Sequence, residues 1–171
     1  GLWPINLSAW AITQLPLGGL AILPQPTAPL DISGLLPNRN LSIWPYASIN
    51  DPRMTLYDDV ILIKARSALP PLKIGYTNRT GWVAYHSNST LFIKHFTLQV
   101  DQPLTDLGCN TEAYCGDSFI ELETLSPLTQ INPGQSCHHT EIWEIMPWEI
   151  EEGSLVDIRR LTNQIFDQQD G

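Results

Sequence analysis

Two carboxylates stand two residues apart in Phe119-Ile120-Glu121-Leu122-Glu123-Thr124-Leu125. In an extended strand, alternate side chains point to opposite faces. Phe119, Glu121, Glu123 and Leu125 then share one face, while Ile120, Leu122 and Thr124 share the other. The Ile/Leu face suits a core. The opposite face carries two carboxylates about 6.5–7 Å apart along the strand. Like charges at that spacing raise each other's pKa, more so where water is partly excluded, which suits a general acid or base. The same spacing also fits two glutamates on a solvated sheet face.

Other polar groups offer less. His138 and His139 follow Cys137, and on a regular strand they fall on opposite faces, so one site cannot use both. A His/Glu pair at i, i+2 supplies only two metal ligands, and no HxH or HExxH signature is present. No metal is expected. His86 and His95 read as structural or surface residues. The GxSxG elbow, the P-loop and the GxGxxG fingerprint are also missing, which removes the usual signatures of hydrolases and nucleotide binders. Aromatic rings give a further clue, because exposed rings stack on the C–H faces of sugars. Trp44, Tyr46 and Trp82, all near turns, are candidates for that role. Trp10 and Trp143, inside strand patterns, read as core.

The elements that must position these groups are strands broken by Pro and Gly. Strand patterns occupy 9–15, 19–23, 41–48, 57–66, 72–77, 81–86, 90–98, 118–125 and 136–145. Pro45 confines 41–48 to a sheet edge. Asn78-Arg79-Thr80 reads as a hairpin turn between its neighbours, and Ser87-Asn88-Ser89 as the next turn. Residues 24–37 and 101–117 read as loop. Strands at spacings near ten residues indicate an all-β antiparallel sandwich. The exception is 154–168, where Leu155, Ile158, Leu161 and Ile165 recur at helical spacing. Ser154 serves as N-cap and Asp157 as the third helical residue. A single domain over 1–171 with one amphipathic C-terminal helix packed on the sandwich is the expected organisation.

Composition narrows the function. The chain has 171 residues, with 9 basic against 18 acidic side chains and a net charge of −9. Nucleic-acid binding is not expected, since it rests on clustered Lys and Arg. No apolar run is long enough to span a membrane. Three cysteines, Cys109, Cys115 and Cys137, are an odd count without a CxxC pair, which fits free thiols in a reducing, cytoplasmic compartment. Sequons at Asn6, Asn40, Asn78 and Asn88 point the other way. The start, Gly1-Leu2-Trp3-Pro4, reads as a cut inside a longer chain.

The stretch 119–146, with Glu121-Leu122-Glu123-Thr124, Ile131-Asn132-Pro133-Gly134-Gln135 and Thr140–Ile145 in that order, resembles the C-terminal part of the galactose mutarotase-like (aldose 1-epimerase-like) superfamily. The segments 10–15, Trp44-Pro45-Tyr46 with Asp51-Pro52-Arg53, and 91–96 are similar to a poorly characterised branch of it. That resemblance implies a β-supersandwich of which this chain is the C-terminal portion. It also implies a small-molecule carbohydrate as partner and no metal or organic cofactor. Glu123 falls where the family keeps its general base. Its catalytic histidine segment has no counterpart here. The expected function is a carbohydrate-binding, aldose-epimerase-like domain contributing to anomeric interconversion, with Glu123 as catalytic base and Glu121, Arg53, Lys94 and Trp44 binding substrate. The alternative is a non-catalytic carbohydrate-binding or structural domain of a larger enzyme. A portion of a supersandwich would expose strand edges, so self-association or a missing N-terminal half is expected with it.

Overall fold

A computed structural model describes residues 3–149 and 154–169, with side chains of the helix described through Ile165. The expected start of the chain at Gly1 and Leu2, and the acidic residues Glu151, Glu152 and Asp170, lie outside the described residues. Among the described residues thirteen strands and one helix follow in chain order. They are β1 (Ile5–Leu7), β2 (Trp10–Pro16), β3 (Leu20–Pro24), β4 (Ser42–Ile43), β5 (Met54–Leu56), β6 (Val60–Lys64) and β7 (Leu72–Tyr76). Then come β8 (Trp82–Ser87), β9 (Thr90–Phe96), β10 (Thr111–Cys115), β11 (Phe119–Leu125), β12 (Thr129–Ile131), β13 (Glu141–Pro147) and α1 (Leu155–Gln169).

The strands make two main antiparallel sheets, with β1 and β12 as a small separate pair. One sheet has five strands in the order β2-β11-β10-β7-β4, the other six in the order β13-β9-β8-β3-β6-β5. Apolar side chains of both sheets meet between them. Ile74, Ala113, Ile120 and Leu122 come from the first, and Leu23, Ile63, Val83 and Tyr85 from the second, all buried. This is the all-β sandwich that the strand pattern implies. On the five-stranded sheet β2, β11, β10 and β7 each alternate, so every second side chain leaves the core for the outer face. That face positions the site.

The outer face of the six-stranded sheet is covered differently. Ile22, Val60, Leu62, Trp82, Ala84, Leu91 and Ile93 form a second core against Ile158, Leu161 and Ile165 of α1. Trp82, expected near the surface, is fully buried there. The helix begins where its sequence says it should. Ser154 Oγ accepts a hydrogen bond from the Asp157 N–H at 3.2 Å, and its carbonyl accepts the first helical bond from Ile158. Ser154→Ala is expected to lower stability by about 1 kcal/mol, read from urea unfolding, because one orphan helix donor loses its partner.

Two connections show how turn chemistry routes the chain. Between β8 and β9, Asn88 and Ser89 both have positive φ, 50° and 55°, the two-residue hairpin geometry that suits the twist of the flanking strands. The segment 77–81 is not a hairpin turn, because β7 and β8 belong to different sheets. It is a crossover held by Asn78. The Asn78 amide nitrogen donates to the Trp82 carbonyl at 2.8 Å, and its oxygen accepts from the backbone N–H groups of Thr80 and Gly81. Asn110 closes the other side with a reciprocal pair of bonds to the Asn78 backbone, at 2.7 and 2.9 Å. Asn78 is fully buried with its amide nitrogen engaged, so this sequon has no room for a glycan in the folded chain.

Both β2 and β13 are edge strands, and both expose apolar residues: Trp10 and Ile12 on β2, and Ile142, Trp143 and Ile145 on β13. Trp10 and Trp143, expected in the core, are more than half exposed, and among the described residues no further strand pairs beyond β2 or β13. Trp143 still packs edge-on against Phe92, with ring centroids 5.5 Å apart. The segment preceding β13 is irregular, so His138 and His139 are not on a strand. No two of the three cysteines are joined.

Candidate functional site

Register assembles the site. β10 and β11 place Glu112 directly opposite Glu123 and Tyr114 opposite Glu121. β7 and β10 place Gly75 opposite Glu112 and Lys73 opposite Tyr114. On the far side of β11, Gln14 faces Glu121, Ile12 faces Glu123 and Trp10 faces Leu125. Residues directly opposite share a face, so Glu112, Glu121, Glu123, Lys73, Trp10 and Gln14 all project from the outer side of the five-stranded sheet. Gly75 leaves room for this packing. A Cβ there would lie 2.8 Å from Cys109 Sγ and 3.1 Å from the Glu112 side chain.

Lys73 sits at the centre. Its Nζ lies 2.8 Å from Glu112 Oε2 and 3.0 Å from Glu123 Oε2. The same ammonium lies 5.0 Å from the centre of the Trp10 ring and 4.8 Å from that of Trp44. Two carboxylates and two indole faces therefore stabilise one cation. Trp10 adds a hydrogen bond, its indole N–H donating to Glu123 Oε2 at 2.8 Å. Glu112 and Glu123 are both buried, at 2% and 0% exposure, which sets this apart from a solvated surface ion pair.

The arrangement holds one more negative than positive charge when all three groups are ionised. Burial pushes the Glu112 carboxyl up to about 7, the Lys73 ammonium pulls it back in part, and the Glu123 charge beside it pushes it up again. Burial also works against the Lys73 charge. Its hydrogen bonds to Glu112 and Glu123 outweigh that and hold its pKa above the ordinary lysine value. Each carboxylate spends one oxygen on Lys73. Glu112 Oε1 and Glu123 Oε1 are buried with no hydrogen-bond donor from any other described residue, and a proton on Glu112 can bridge to Glu123. Such a pair of open acceptors is costly in a protein interior unless a donor completes it. Tyr46 stands close enough to sense Lys73 and both glutamates, and desolvation leads the rise in its phenol pKa.

The sequence-derived candidates separate into two groups. Glu123 and Trp44 lie in the site, and Glu121 lies beside it on the same face, its Oε1 accepting from Gln14 Nε2 at 2.9 Å. The carboxylate paired with Glu123 is Glu112, across the strand, in place of Glu121 along it. Arg53 and Lys94 are not brought to this face. Arg53 is buried, with bonds of 2.9 and 2.7 Å to the Asp51 carboxylate. Nη1 donates to the Cys115 and Ala68 carbonyls and Nη2 also to the Pro70 carbonyl, which ties the β5 entry to the end of β10 away from Glu112. All its donors are used as a clamp. Lys94 is likewise buried, reaching from β9 to the Leu122 carbonyl and Glu141 Oε1, both at 2.9 Å. Thr124 joins that group by donating to Glu141, and Thr124 faces the interior, so Lys94 lies on the side of β11 opposite Glu123. Burial lowers the Lys94 pKa, against the pull of Glu141.

Three members were missed in the sequence: Lys73, Glu112 and the outward role of Trp10. A signal existed for two of them. Gln14 shares a face with Trp10 in an alternating strand, and Lys73 is the one charged residue inside Leu72-Lys73-Ile74-Gly75-Tyr76. Both mark an outer face that carries polar groups.

Among the described residues no group of three or more His, Cys, Asp or Glu is placed to hold a metal ion, and no helix is long and apolar enough to cross a membrane. Compared with protein-family models, curated proteins and solved structures, the chain matches none.

Proposed function

We propose that the outer face of the five-stranded sheet binds a small carbohydrate, and that the chain is an aldose-epimerase-like domain acting in anomeric interconversion. The observation that carries this reading is the pair of carboxylate oxygens that no other residue completes, Glu112 Oε1 and Glu123 Oε1, on carboxylates whose shared Lys73 meets the rings of Trp10 and Trp44. A sugar combines hydroxyl donors for the two oxygens with C–H faces for the rings. Few other small ligands offer both. Trp10, whose indole N–H donates to Glu123, is more than half exposed on an edge strand.

Anomeric interconversion needs a base to take the proton of the anomeric hydroxyl and an acid for the ring oxygen. Glu123 supplies the base in this reading. Glu112, with its carboxyl pushed up to about 7, supplies a proton near neutral pH. Lys73 touches both and balances their charge, so it positions the pair.

A second reading has its own observation. Glu123 is fully buried and already bonded to Lys73 and Trp10, which suits a floor that binds sugar without chemistry. Polarimetry on fresh α-D-glucose and α-D-galactose separates the two, since only an enzyme speeds relaxation above buffer. Sugar binding itself is tested by calorimetric titration of the full chain. Trp10→Ala and Trp44→Ala are each expected to weaken it by about 3- to 10-fold, the range of one lost ring contact. Unchanged affinity in both variants would remove this face from the binding site.

A further inference from the structure

A groove of about 570 Å³ lies on the other sheet and shares no residue with the site above. Its size falls within the range of small-molecule sites. Register builds it. Leu20 of β3 pairs with Lys64 of β6 on one side and His86 of β8 on the other. These three side chains form one row across three strands, with Lys64 and His86 bracketing Leu20 about 10 Å apart. Tyr57, Arg66 and Ser87 complete the lining that matters, and among the described residues no carboxylate lines the groove.

The charge inventory makes this placement unusual. Of the nine Lys and Arg in the chain, Arg39, Arg53, Lys73, Lys94, Arg159 and Arg160 each have a carboxylate within ion-pair distance. Among the described residues the others, Lys64, Arg66 and Arg79, have none. Two of those three line this one groove, in a chain of net charge −9. His86 adds a third nitrogen base. Its Nε2 lies 2.9 Å from the Trp148 carbonyl, an acceptor, so the proton resides on Nε2 and the ring is held in place by that bond. Arg66 spends one nitrogen on the Pro52 carbonyl at 3.2 Å and keeps the rest of its fork.

The geometry points to this groove as a binding site for a small organic phosphate. A phosphomonoester carries about −1.5 to −2 charges and three acceptor oxygens. Lys64 and Arg66 match the charge, and Arg66 and the Ser87 hydroxyl match the acceptors. Leu20 and the Tyr57 ring form the apolar wall for the organic body. Inorganic phosphate engages only the first set.

The test is an NMR titration of the full chain at constant ionic strength with phenyl phosphate, inorganic phosphate and phenol. The expected result is saturable shifts at Leu20, Ser87, Asn88 and the His86 ring, with affinity falling from phenyl phosphate to phosphate to phenol. Lys64→Gln with Arg66→Gln should weaken phenyl phosphate by about tenfold or more, and each single change by less. Arg79→Gln, the unpaired cation outside the groove, and Glu123→Gln should leave it unchanged. Both single variants replace exposed side chains and keep the test readable if the double variant fails to fold. Shifts that never saturate, phenol binding as tightly as phenyl phosphate, or full affinity in both single variants would each overturn the assignment. Because Glu123→Gln is one arm, loss of the sugar reading would leave this result standing.

Discussion

Replacing Lys73 by Met is expected to cost about 3 to 5 kcal/mol of folding stability at pH 8, and much less at pH 5. The figure is that for breaking a buried ion pair by removing one partner. Here the loss leaves two carboxylates buried and opposite each other, with only the Trp10 N–H still donating to one of them. Acid relieves the variant by protonating them. The parent protein shows a milder form of the same dependence. The Glu112 carboxyl, pushed up to about 7 in the folded state, lies above the ordinary value it regains on unfolding. Between those two pH values the folded state holds a proton that the unfolded state has lost. The Glu112 contribution to stability therefore falls as pH rises from about 4.5 to about 7 and then levels, while His139, held below the ordinary imidazole value by burial, works in the opposite sense. Glu112→Gln, which resembles the protonated acid, should flatten that slope and leave stability at pH 8 unchanged or improved. Urea unfolding of the three proteins from pH 4.5 to 8.5 checks this. A Lys73→Met variant as stable as its parent at pH 8 would show that the ammonium is not what holds the two carboxylates.

How far this site could be read in the sequence depended on what each residue's neighbours revealed. The strand over Phe119–Leu125 was plain, since Ile120 and Leu122 demanded a core and so sent Glu121 and Glu123 outward. The Asn88-Ser89 turn was equally plain, because two strands joined by two turn-forming residues have few alternatives. β10 was hidden. Thr111-Glu112-Ala113-Tyr114-Cys115 turns only two small residues, Ala113 and Cys115, into the apolar core and is bounded by Gly108 and Gly116, so it reads as loop. Without β10 there is no way to see that Glu112 faces Glu123, and the nearer pair along the chain, Glu121 and Glu123, takes its place. Arg53 misled for a related reason. The resemblance of Asp51-Pro52-Arg53 brought it in as a substrate binder, and only the fold shows that this turn closes over the end of β10, where every guanidinium donor finds an acceptor. Trp10 and Trp82 were read with inside and outside exchanged. A tryptophan in a strand looks like core, but whether the strand lies at a sheet edge or beneath a helix is a property of the topology, which strand patterns do not encode.

The largest functional effect is expected at Glu123. If the chain accelerates anomeric relaxation, Glu123→Gln should reduce that acceleration by about 100-fold or more, the usual contribution of a positioned general base. Sugar affinity should change only a few-fold, because the amide still fills the same space beside Trp10 and Lys73. The amide oxygen can also still accept from Lys73. Glu112→Gln has a different signature. A carboxyl that loses its proton near pH 7 predicts activity that declines on the alkaline side of about 7 in the parent protein. Removing the ionisable proton should lower activity and erase that decline together. Glu121→Gln, one step along the strand and bonded to Gln14, should do neither. The three variants thus assign base, acid and bystander by different readouts of one polarimetric assay, with calorimetry reporting whether sugar still binds. Equal and negligible effects at Glu112 and Glu123, with binding kept, would leave the face a carbohydrate-binding floor. Loss of binding in both, with the fold intact, would show that the two open oxygens hold the sugar and that chemistry is not their role.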